Sequence, residues 1–322
     1  MTKKVFALVL LFTAVPFIAS AVGPKWRPEI TGPWRTLFRP TQAGNYLNDH
    51  CVYQDPKGEW RLIGITSLKP PRIGTSEFWF AHGVTPSLLE PMRELPPLFQ
   101  GWPDRKQKWA PHAVWDGDTL HLFAGPGGIR HFTSRDGKEF QYVGIAFKNH
   151  YRFLRDTMAL RLPSGEWIMY ATDLVRGVDS VSAWRSKDLY KWTYVGPVFQ
   201  AVRPAPVWAP APNSACESPF VVRRDDGYYL SMTLTNEDRT TYIKSLVFFS
   251  EDPLNFGRYA AGGRGETARL VTTLSAHAPE LIEDREGQWW ITNAGWPGWP
   301  RPDGCPDGQA CIAPLEWKPT GE

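Results

Sequence analysis

Residues 213–232 read NSACESPFVVRRDDGYYLSM, and this stretch decides the fold. A short apolar run, Phe220 to Val222, leads to a turn containing Gly227 and then to a second strand rich in aromatic residues. This is the pattern of a β-hairpin. Glu217 stands just before the apolar run, although glutamate is a poor strand former and is costly to bury without a partner. The hairpin alone does not explain this carboxylate.

Four other stretches repeat the arrangement. They begin at Asn48 (NDHCVYQDPKGEWRLIGI), Trp109 (WAPHAVWDGDTLHLFAG), Arg155 (RDTMALRLPSGEWIMYAT) and His277 (HAPELIEDREGQWWITNA). When the five turn glycines are aligned, one residue of each copy falls at the start of its first strand. These residues, spaced 60, 47, 61 and 60 apart, are Asp49, Trp109, Asp156, Glu217 and His277. Five copies at nearly even spacing indicate an internal repeat.

Between the hairpins lie further strand candidates that end in Ser-x-Asp turns at residues 134–136, 186–188 and 250–252. Each repeat therefore supplies about four strands, and a four-stranded sheet repeated around an axis is a β-propeller. We predict an all-β fold, a single five-bladed β-propeller over residues 22–322, whose last blade is completed by the C-terminal segment ACIAPLEW. The 16 Trp, 11 Tyr and 17 Phe residues suit wide contacts between blades.

This fold explains the position of Glu217. The first strand of each blade lines the central axis of a propeller, and all five run in the same direction, so their starts meet at one funnel. We expect Asp49, Asp156 and Glu217 to converge there as catalytic residues. Glycoside hydrolysis uses one protonated carboxyl group and one ionised carboxylate. Crowding of like charges raises the proton affinity of one member of such a group.

The same motifs resemble those of the five-bladed propeller glycoside hydrolases. Asn48-Asp49, Arg155-Asp156 and Glu217-Ser218-Pro219 are similar to the three acidic signatures of families 43, 32 and 68. The segments WAPH at 109–112 and HAPEL at 277–281 extend the resemblance over essentially the whole mature chain. The neighbours of the acids differ from family 32, which has Asn-Asp-Pro-Asn-Gly, Arg-Asp-Pro and Glu-Cys-Pro at these places.

The resemblance implies roles for the acids and their neighbours. Asp49 would be the nucleophile or general base, Asp156 the transition-state stabiliser or pKa modulator, and Glu217 the general acid. We predict sugar contacts for residues that stand at or near the strand starts or in the Pro-rich loop before Glu217, namely Asn48, Trp109, His112, Arg155, Trp208, His277 and Glu280. Each has a structural alternative: blade packing for the tryptophans, internal hydrogen bonds for the histidines and Glu280, and a carboxylate partner for Arg155.

Metal and disulfide predictions follow from the same residues. The resemblance allows a structural calcium ion near His277, but no cation-ligand spacing surrounds this residue, so we predict no required cofactor. Cys305 and Cys311 flank a Pro-Asp-Gly turn, and a disulfide between them would stabilise the protein by roughly 2 kcal/mol. Cys51 and Cys216 would face opposite ways from non-neighbouring blades, so we do not predict a bridge between them.

Residues 1–21 are predicted to be a secretory signal peptide. Two lysines precede an apolar stretch from Val5 to Ile18, and Ala19-Ser20-Ala21 is a small-x-small cleavage pattern. The alternative, a membrane anchor, would need a longer apolar stretch. We therefore expect a secreted or periplasmic protein without a membrane span after cleavage. The net charge is only +3, with no concentrated basic stripe, which argues against nucleic-acid binding.

The leading interpretation is an exported monomeric glycoside hydrolase acting on oligo- or polysaccharides. The resemblance favours pentose, furanoside or fructose units. One alternative is a carbohydrate-binding propeller without catalysis. Another is a phosphorylase or transglycosylase, for which Arg130, Arg155 and Arg176 are the candidate phosphate ligands. The sequence leaves open the sugar, the linkage and whether the anomeric configuration is retained or inverted.

Overall fold

The computed structural model describes residues 23–42, 45–67, 76–101, 106–202, 216–234 and 242–321. The predicted signal peptide and Trp208 lie outside these ranges. Within them the chain forms 22 β-strands joined by turns and loops. A helix of the length and apolarity needed to cross a bilayer is absent from the described residues.

The strands form five sheets, here called blades I to V. The first two strands of the chain, β1 (Trp26–Ile30) and β2 (Arg35–Phe38), precede blade I. Blade I consists of β3 (His50–Gln54), β4 (Trp60–Thr66), β5 (Trp79–Thr85) and β6 (Arg93–Leu98). Blade II consists of β7 (Trp109–Asp116), β8 (Thr119–Gly125), β9 (Gly128–Ser134) and β10 (Gln141–Lys148). Blade III consists of β11 (Arg155–Arg161), β12 (Trp167–Val175), β13 (Val178–Ser186) and β14 (Thr193–Ala201).

Blade IV contains β15 (Cys216–Arg224), β16 (Gly227–Leu234), β17 (Lys244–Ser250) and β19 (Arg269–Ser275). The short strand β18 (Gly257–Tyr259) leaves blade IV and pairs in parallel with β14 of blade III. Blade V contains β20 (Leu281–Glu283), β21 (Trp289–Asn293) and β22 (Ala310–Pro319), with both β1 and β2 paired to β22. The predicted five-bladed β-propeller is confirmed.

Five hydrophobic clusters hold the blades together, one at each interface. Blades I and II share a cluster around Phe80 and Phe132, and blades II and III share one around Phe123 and Trp184. The other three clusters join blades III and IV, IV and V, and V and I. The ring is therefore closed by apolar burial at every interface, which is the main stabilising term for a fold of this kind.

The closure of blade V differs from the prediction in one respect. The segment ACIAPLEW lies in β22, as expected for the last blade, but β22 is not the outer strand. The N-terminal strand β1 pairs antiparallel with it, from Trp26 opposite Pro319 to Ile30 opposite Leu315. An unpaired β22 edge would leave a row of unsatisfied backbone groups. Strand β1 covers this edge and joins the N-terminal part of the described chain to its last blade.

The innermost strands of blades II to V share a local distortion near their starts. In blades II, III and IV the pairing register shifts over three positions, starting at Trp109, Arg155 and Glu217, the position taken here as the first. A residue with positive φ follows the first position in all four blades: Ala110 (42°), Asp156 (55°), Ser218 (55°) and Ala278 (44°). Such a bulge re-aims the side chains beside it.

The position of the bulge shows that the predicted alignment of the repeats is shifted by one residue in blade III. Arg155, which precedes the positive-φ residue, is the counterpart of Glu217, while Asp156 occupies the bulge position itself. Blade I has no such bulge, because β3 pairs with β4 in continuous register from His50 to Gln54. Asp49 therefore enters the funnel from a regular strand start, unlike the other two acids.

Candidate active site

The three predicted acids lie at one end of the central channel and are joined by two basic side chains. In order, the linked groups are Asp49, His277, Glu217, Arg155 and Asp156. They come from blades I, V, IV and III, and they are separated by up to 228 residues of sequence. The structure thus brings together in space acids that the sequence keeps far apart.

Arg155 connects the acids of blades III and IV. Its Nη2 donates to Oε2 of Glu217 at 2.6 Å, and its Nε lies 3.3 Å from Oδ2 of Asp156. Its Nη1 donates to the carbonyl oxygen of Phe153 at 3.3 Å. The side chain is 5% exposed, so these bonds are shielded from solvent. Arg155 therefore pairs with carboxylates, which was one of the two roles predicted for it.

His277 connects Glu217 to the side of Asp49. Its Nε2 lies 3.2 Å from Oε1 of Glu217, and its Nδ1 lies 2.6 Å from the carbonyl oxygen of Ala294. Oδ1 of Asp49 is 4.0 Å from Nδ1. The ring of Tyr242 stacks on the imidazole with centroids 3.8 Å apart and planes 15° apart. The histidine is thus fixed in position by contacts on both ring nitrogens and on its face.

Asp156 and Asp49 each present one oxygen without a hydrogen bond. Oδ2 of Asp156 accepts from Oγ1 of Thr172 at 2.8 Å and from the backbone nitrogen of Ser218 at 3.2 Å. Oδ1 of Asp156 and Oδ1 of Asp49 are buried and accept no hydrogen bond from the described residues. Buried polar atoms are normally satisfied, so both oxygens are suited to binding a polar ligand.

The three acids differ in the direction and size of their pKa shifts. Burial raises the pKa of Asp49 to about 8, and the negative charges of Asp156 and Glu217 add to this effect against the opposing charge of His277. Burial also raises the pKa of Asp156. Burial would raise the pKa of Glu217 as well, but the hydrogen bond from His277 and the charge of Arg155 lower it to about 2. Asp49 therefore holds a proton more readily than Glu217 does.

A pocket in the channel continues from these acids. It is lined by residues at the acids and at the bulges, namely Asp49, His50, Ala110, Pro111, Asp156, Thr157, Ser218, Pro219, Phe220, Ala278, Pro279 and Glu280. The proline that follows the bulge in blades II, IV and V forms much of the apolar wall. Burial raises the pKa of the Glu280 carboxyl well above its ordinary value.

The remaining residues predicted to contact sugar differ in whether they line the pocket. Asn48 is buried, and its Oδ1 lies 3.5 Å from the hydroxyl of Tyr242. His112 is buried and meets the edge of Phe220, with ring centroids 6.5 Å apart, outside the residues that line the pocket. Trp109 is half-buried against the cluster between blades I and II. Trp109 therefore has the packing contacts of its structural alternative, while Glu280 lines the pocket.

Sequence reasoning missed an aromatic group beside His277. Tyr242 contacts Trp299, with centroids 4.9 Å apart, and the backbone nitrogen of Trp296 donates to the Tyr242 hydroxyl at 2.9 Å. Both tryptophans belong to the segment GWPGWP at 295–300, whose repeated Gly-Trp-Pro was an available signal. The Cys305–Cys311 disulfide, with Cα atoms 5.8 Å apart, anchors this loop to β22. Cys51 and Cys216 are buried and are not disulfide-bonded.

The residues around His277 do not fit a metal ion. Both ring nitrogens are engaged, one by the Ala294 carbonyl and one by Glu217, so the imidazole presents no lone pair to a cation. In the described part of the chain, no group of three or more His, Cys, Asp or Glu side chains is arranged to hold a metal.

Comparison with solved structures identifies the fold. An exo-1,5-α-L-arabinanase from a bovine ruminal metagenomic library superposes with a TM-score of 0.60 at 14% identity, over 86% of this chain and 97% of that one. A family 43 β-xylosidase/α-arabinofuranosidase from a compost microbial metagenome gives 0.57 at 12% identity, over 90% and 95%. A sucrose-6-phosphate hydrolase from Lactobacillus gasseri gives 0.58 at 14% identity, over 84% of this chain and 58% of that one.

At these identities the likeness establishes the fold. The resemblance to the five-bladed propeller glycoside hydrolases is confirmed at that level. No protein-family model and no curated protein sequence matches the chain.

Proposed function

We propose that the protein is an exported glycoside hydrolase in which Glu217 is the general acid and Asp49 the general base or nucleophile. One observation carries this proposal: carboxylates from blades I, III and IV meet in a single linked group at the mouth of a channel. The similar structures named above include an arabinanase, a xylosidase and a sucrose-6-phosphate hydrolase, which supports pentose- or fructose-containing glycans as substrates.

The chemistry follows from the positions of the acids. Glu217 protonates the leaving glycosidic oxygen, while Asp49, once ionised, attacks the anomeric carbon or activates water. Asp156 shares Arg155 with Glu217, so its negative charge limits how strongly the guanidinium holds Glu217 in the ionised form. The unpaired Oδ1 of Asp156 is suited to accept a hydrogen bond from a sugar hydroxyl.

Two other functions on this scaffold make different predictions. A binding protein without catalysis would retain sugar but not turn it over. A phosphorylase would require free basic groups, yet Arg155 is occupied by two carboxylates and Arg130 donates to the carbonyl oxygen of Gly125 at 3.2 Å. For these two of the three candidate phosphate ligands, the contacts favour hydrolysis over phosphorolysis; Arg176 lies exposed in the turn after β12.

The test is a screen of aryl α-L-arabinofuranosides, β-D-xylosides and fructose-containing oligosaccharides, with and without inorganic phosphate. Glu217→Ala should lower kcat/KM on the best oligosaccharide substrate by roughly 10²–10⁴-fold, the usual contribution of a general acid, in a protein that still folds. The control is Glu286→Gln, which changes an exposed carboxylate in a turn of blade V and should leave kcat/KM unchanged. Turnover that depends on phosphate, or sugar binding without turnover, would contradict the proposal.

A further inference from the structure

The two ring nitrogens of His277 face different kinds of partner. Nδ1 lies 2.6 Å from the carbonyl oxygen of Ala294, and a carbonyl oxygen only accepts, so Nδ1 carries a hydrogen. Nε2 lies 3.2 Å from Oε1 of Glu217. This second contact therefore accommodates one further proton, which lies either on Nε2 or on the Glu217 carboxyl.

Either location gives a good hydrogen bond. If Glu217 is ionised, Nε2 must carry a hydrogen and donate it, and His277 is an imidazolium. If Glu217 is protonated, its hydroxyl donates to the lone pair on Nε2, and His277 is neutral. If both groups lost the proton, a lone pair would face a carboxylate in a buried site, which is unfavourable. The contact therefore holds one proton in both stable forms.

On the basis of the proposed general-acid role of Glu217, we infer that His277 and Glu217 share one catalytic proton. His277 holds it between turnovers, and Glu217 delivers it to the substrate. His277 is thus a positioning residue that acts through Glu217.

The hydrogen on Nε2 moves to Oε1, which leaves His277 neutral with its Nδ1 hydrogen still bonded to Ala294. The Glu217 hydroxyl then protonates the glycosidic oxygen as the bond to the anomeric carbon breaks, and the electron pair of that bond stays on the leaving oxygen. Water supplies the new hydroxyl at the anomeric carbon, and its proton passes to a carboxylate of the site and then to solvent. One proton taken up from solvent restores the pair.

The groups around His277 favour holding the proton on the ring. Burial alone would lower the pKa of His277, but the hydrogen bond to Glu217 and the charges of Asp49 and Glu217 raise it above its ordinary value. Arg155, on the far side of Glu217, favours the ionised carboxylate and hence the imidazolium. His50, also buried nearby, has a pKa lowered to about 3 by burial and by His277, so it adds no positive charge at neutral pH.

The ring is also held in the orientation that proton transfer requires. Tyr242 stacks on one face of the imidazole, and the backbone nitrogen of His277 donates to Oδ1 of Asn293 at 2.8 Å. A ring flip would break the contacts of both nitrogens at once. The geometry therefore keeps Nε2 directed at Glu217.

Leaving-group dependence tests the inference. His277→Gln keeps a donor near Glu217 but cannot store a proton, so kcat/KM should fall by roughly 10²-fold or more on glycosides with poor leaving groups, within the range of acid catalysis. At a pH where Asp49 is ionised in both proteins, a 2,4-dinitrophenyl glycoside of the same sugar needs no protonation and should react within about threefold of wild type. His131→Gln, a change at a buried histidine of blade II, is the control and should slow neither substrate.

The same substrates separate this inference from the proposed function. Glu217→Gln should show the same leaving-group dependence, and if it does not, Glu217 is not the acid and the proposed function fails. If Glu217→Gln shows it while His277→Gln slows both substrates equally or slows neither, only the shared proton is overturned.

A second measurement needs no substrate. In protein labelled with ¹⁵N-histidine, the His277 resonances, assigned by their loss in His277→Gln, should show both ring nitrogens protonated at neutral pH. Glu217→Gln should convert the ring to the neutral form with hydrogen on Nδ1 only. A neutral ring in the wild type, or an imidazolium that persists in Glu217→Gln, would overturn the inference.

Discussion

Nη2 of Arg155 lies 2.6 Å from Oε2 of Glu217, so a guanidinium from blade III is bonded directly to the acid of blade IV. Both residues stand at the equivalent place in their blades, the position before the bulge. The repeat therefore delivers a cation and an anion to adjacent points of the funnel. This pair, more than any single carboxylate, sets the charge of the site.

Arg155→Lys should impair both stability and activity. Lysine cannot reproduce the forked contacts of a guanidinium with two carboxylates, and an incompletely paired buried charge typically costs about 3–5 kcal/mol. We expect a lower Tm in thermal unfolding and a fall in kcat/KM. The control is Arg161→Lys, because Arg161 is 57% exposed and its contact with Asp116 is 3.6 Å long. An exposed pair contributes little. Equal effects of the two changes would contradict this account of Arg155.

The pH dependence of kcat/KM should report Asp49. Its pKa is raised to about 8, and its proposed role as nucleophile or base requires the ionised form, so activity should be lost as pH falls below that value. Since the charge of Asp156 contributes to the raised pKa, Asp156→Asn should move this acidic limb to lower pH. The measurement is kcat/KM for an aryl glycoside as a function of pH, in the wild type and in Asp156→Asn. An acidic limb near the ordinary carboxyl range in the wild type would show that Asp49 does not control it.

Asp49→Asn should stabilise the protein at neutral and alkaline pH. The folded pKa is about 8, against an ordinary 3.8, so between these values the folded state keeps a proton that the unfolded state has released. Stability therefore falls as pH rises through this window. Asparagine resembles the protonated form at every pH, so the Tm gain over wild type should be near zero at pH ~4 and largest above pH ~8. A Tm difference between variant and wild type that does not change with pH would contradict this prediction.

Much of the fold was predictable because propeller blades are repeats. Turn glycines such as Gly58 and Gly165 have positive φ, and their spacing located the hairpins and the starts of the inner strands. The alignment slipped by one residue in blade III because it matched Asp156 to Glu217 as acids, whereas the turn glycines Gly165 and Gly227 match Arg155 to Glu217. A bulge has no strict sequence signature, although the proline after Ala110, Ser218 and Ala278 marks it in three of the four blades.

The electrostatics of the site were not predictable in the same way. Crowding of three acids suggests a raised pKa but does not say which acid has it. The answer depends on Arg155 and His277, whose side chains reach Glu217 only through the three-dimensional fold. Tyr242 was missed because it lies between strands of blade IV, outside the part of the hairpin that repeats.

Trp26→Ala should loosen the closure of the ring. The indole Nε1 donates to Oδ1 of Asp225 at 2.6 Å, and the guanidinium of Arg224 lies 5.1 Å from the ring centroid. We expect a loss of about 2–4 kcal/mol in unfolding free energy, since a large aromatic is removed from a partly buried site. Arg27→Ala on the same strand is the control and should cost well under about 1 kcal/mol, because Arg27 makes only an exposed ion pair. Equal losses would mean that β1 contributes through its backbone alone.

Trp299→Ala should weaken substrate binding with little effect on the chemical step. Trp299 is partly exposed beside Tyr242, on the His277 side of the funnel, where an indole face can stack on a sugar ring. Loss of such a contact raises KM by roughly two- to thirteenfold if the contact is worth about 0.5–1.5 kcal/mol, while kcat is nearly unchanged. Trp289→Ala is the control: this tryptophan starts β21 at the opposite end of blade V, where it packs on Trp317. Trp289→Ala should change Tm but not KM. A fall in kcat for Trp299→Ala at unchanged KM would instead mean that Trp299 acts in the chemical step.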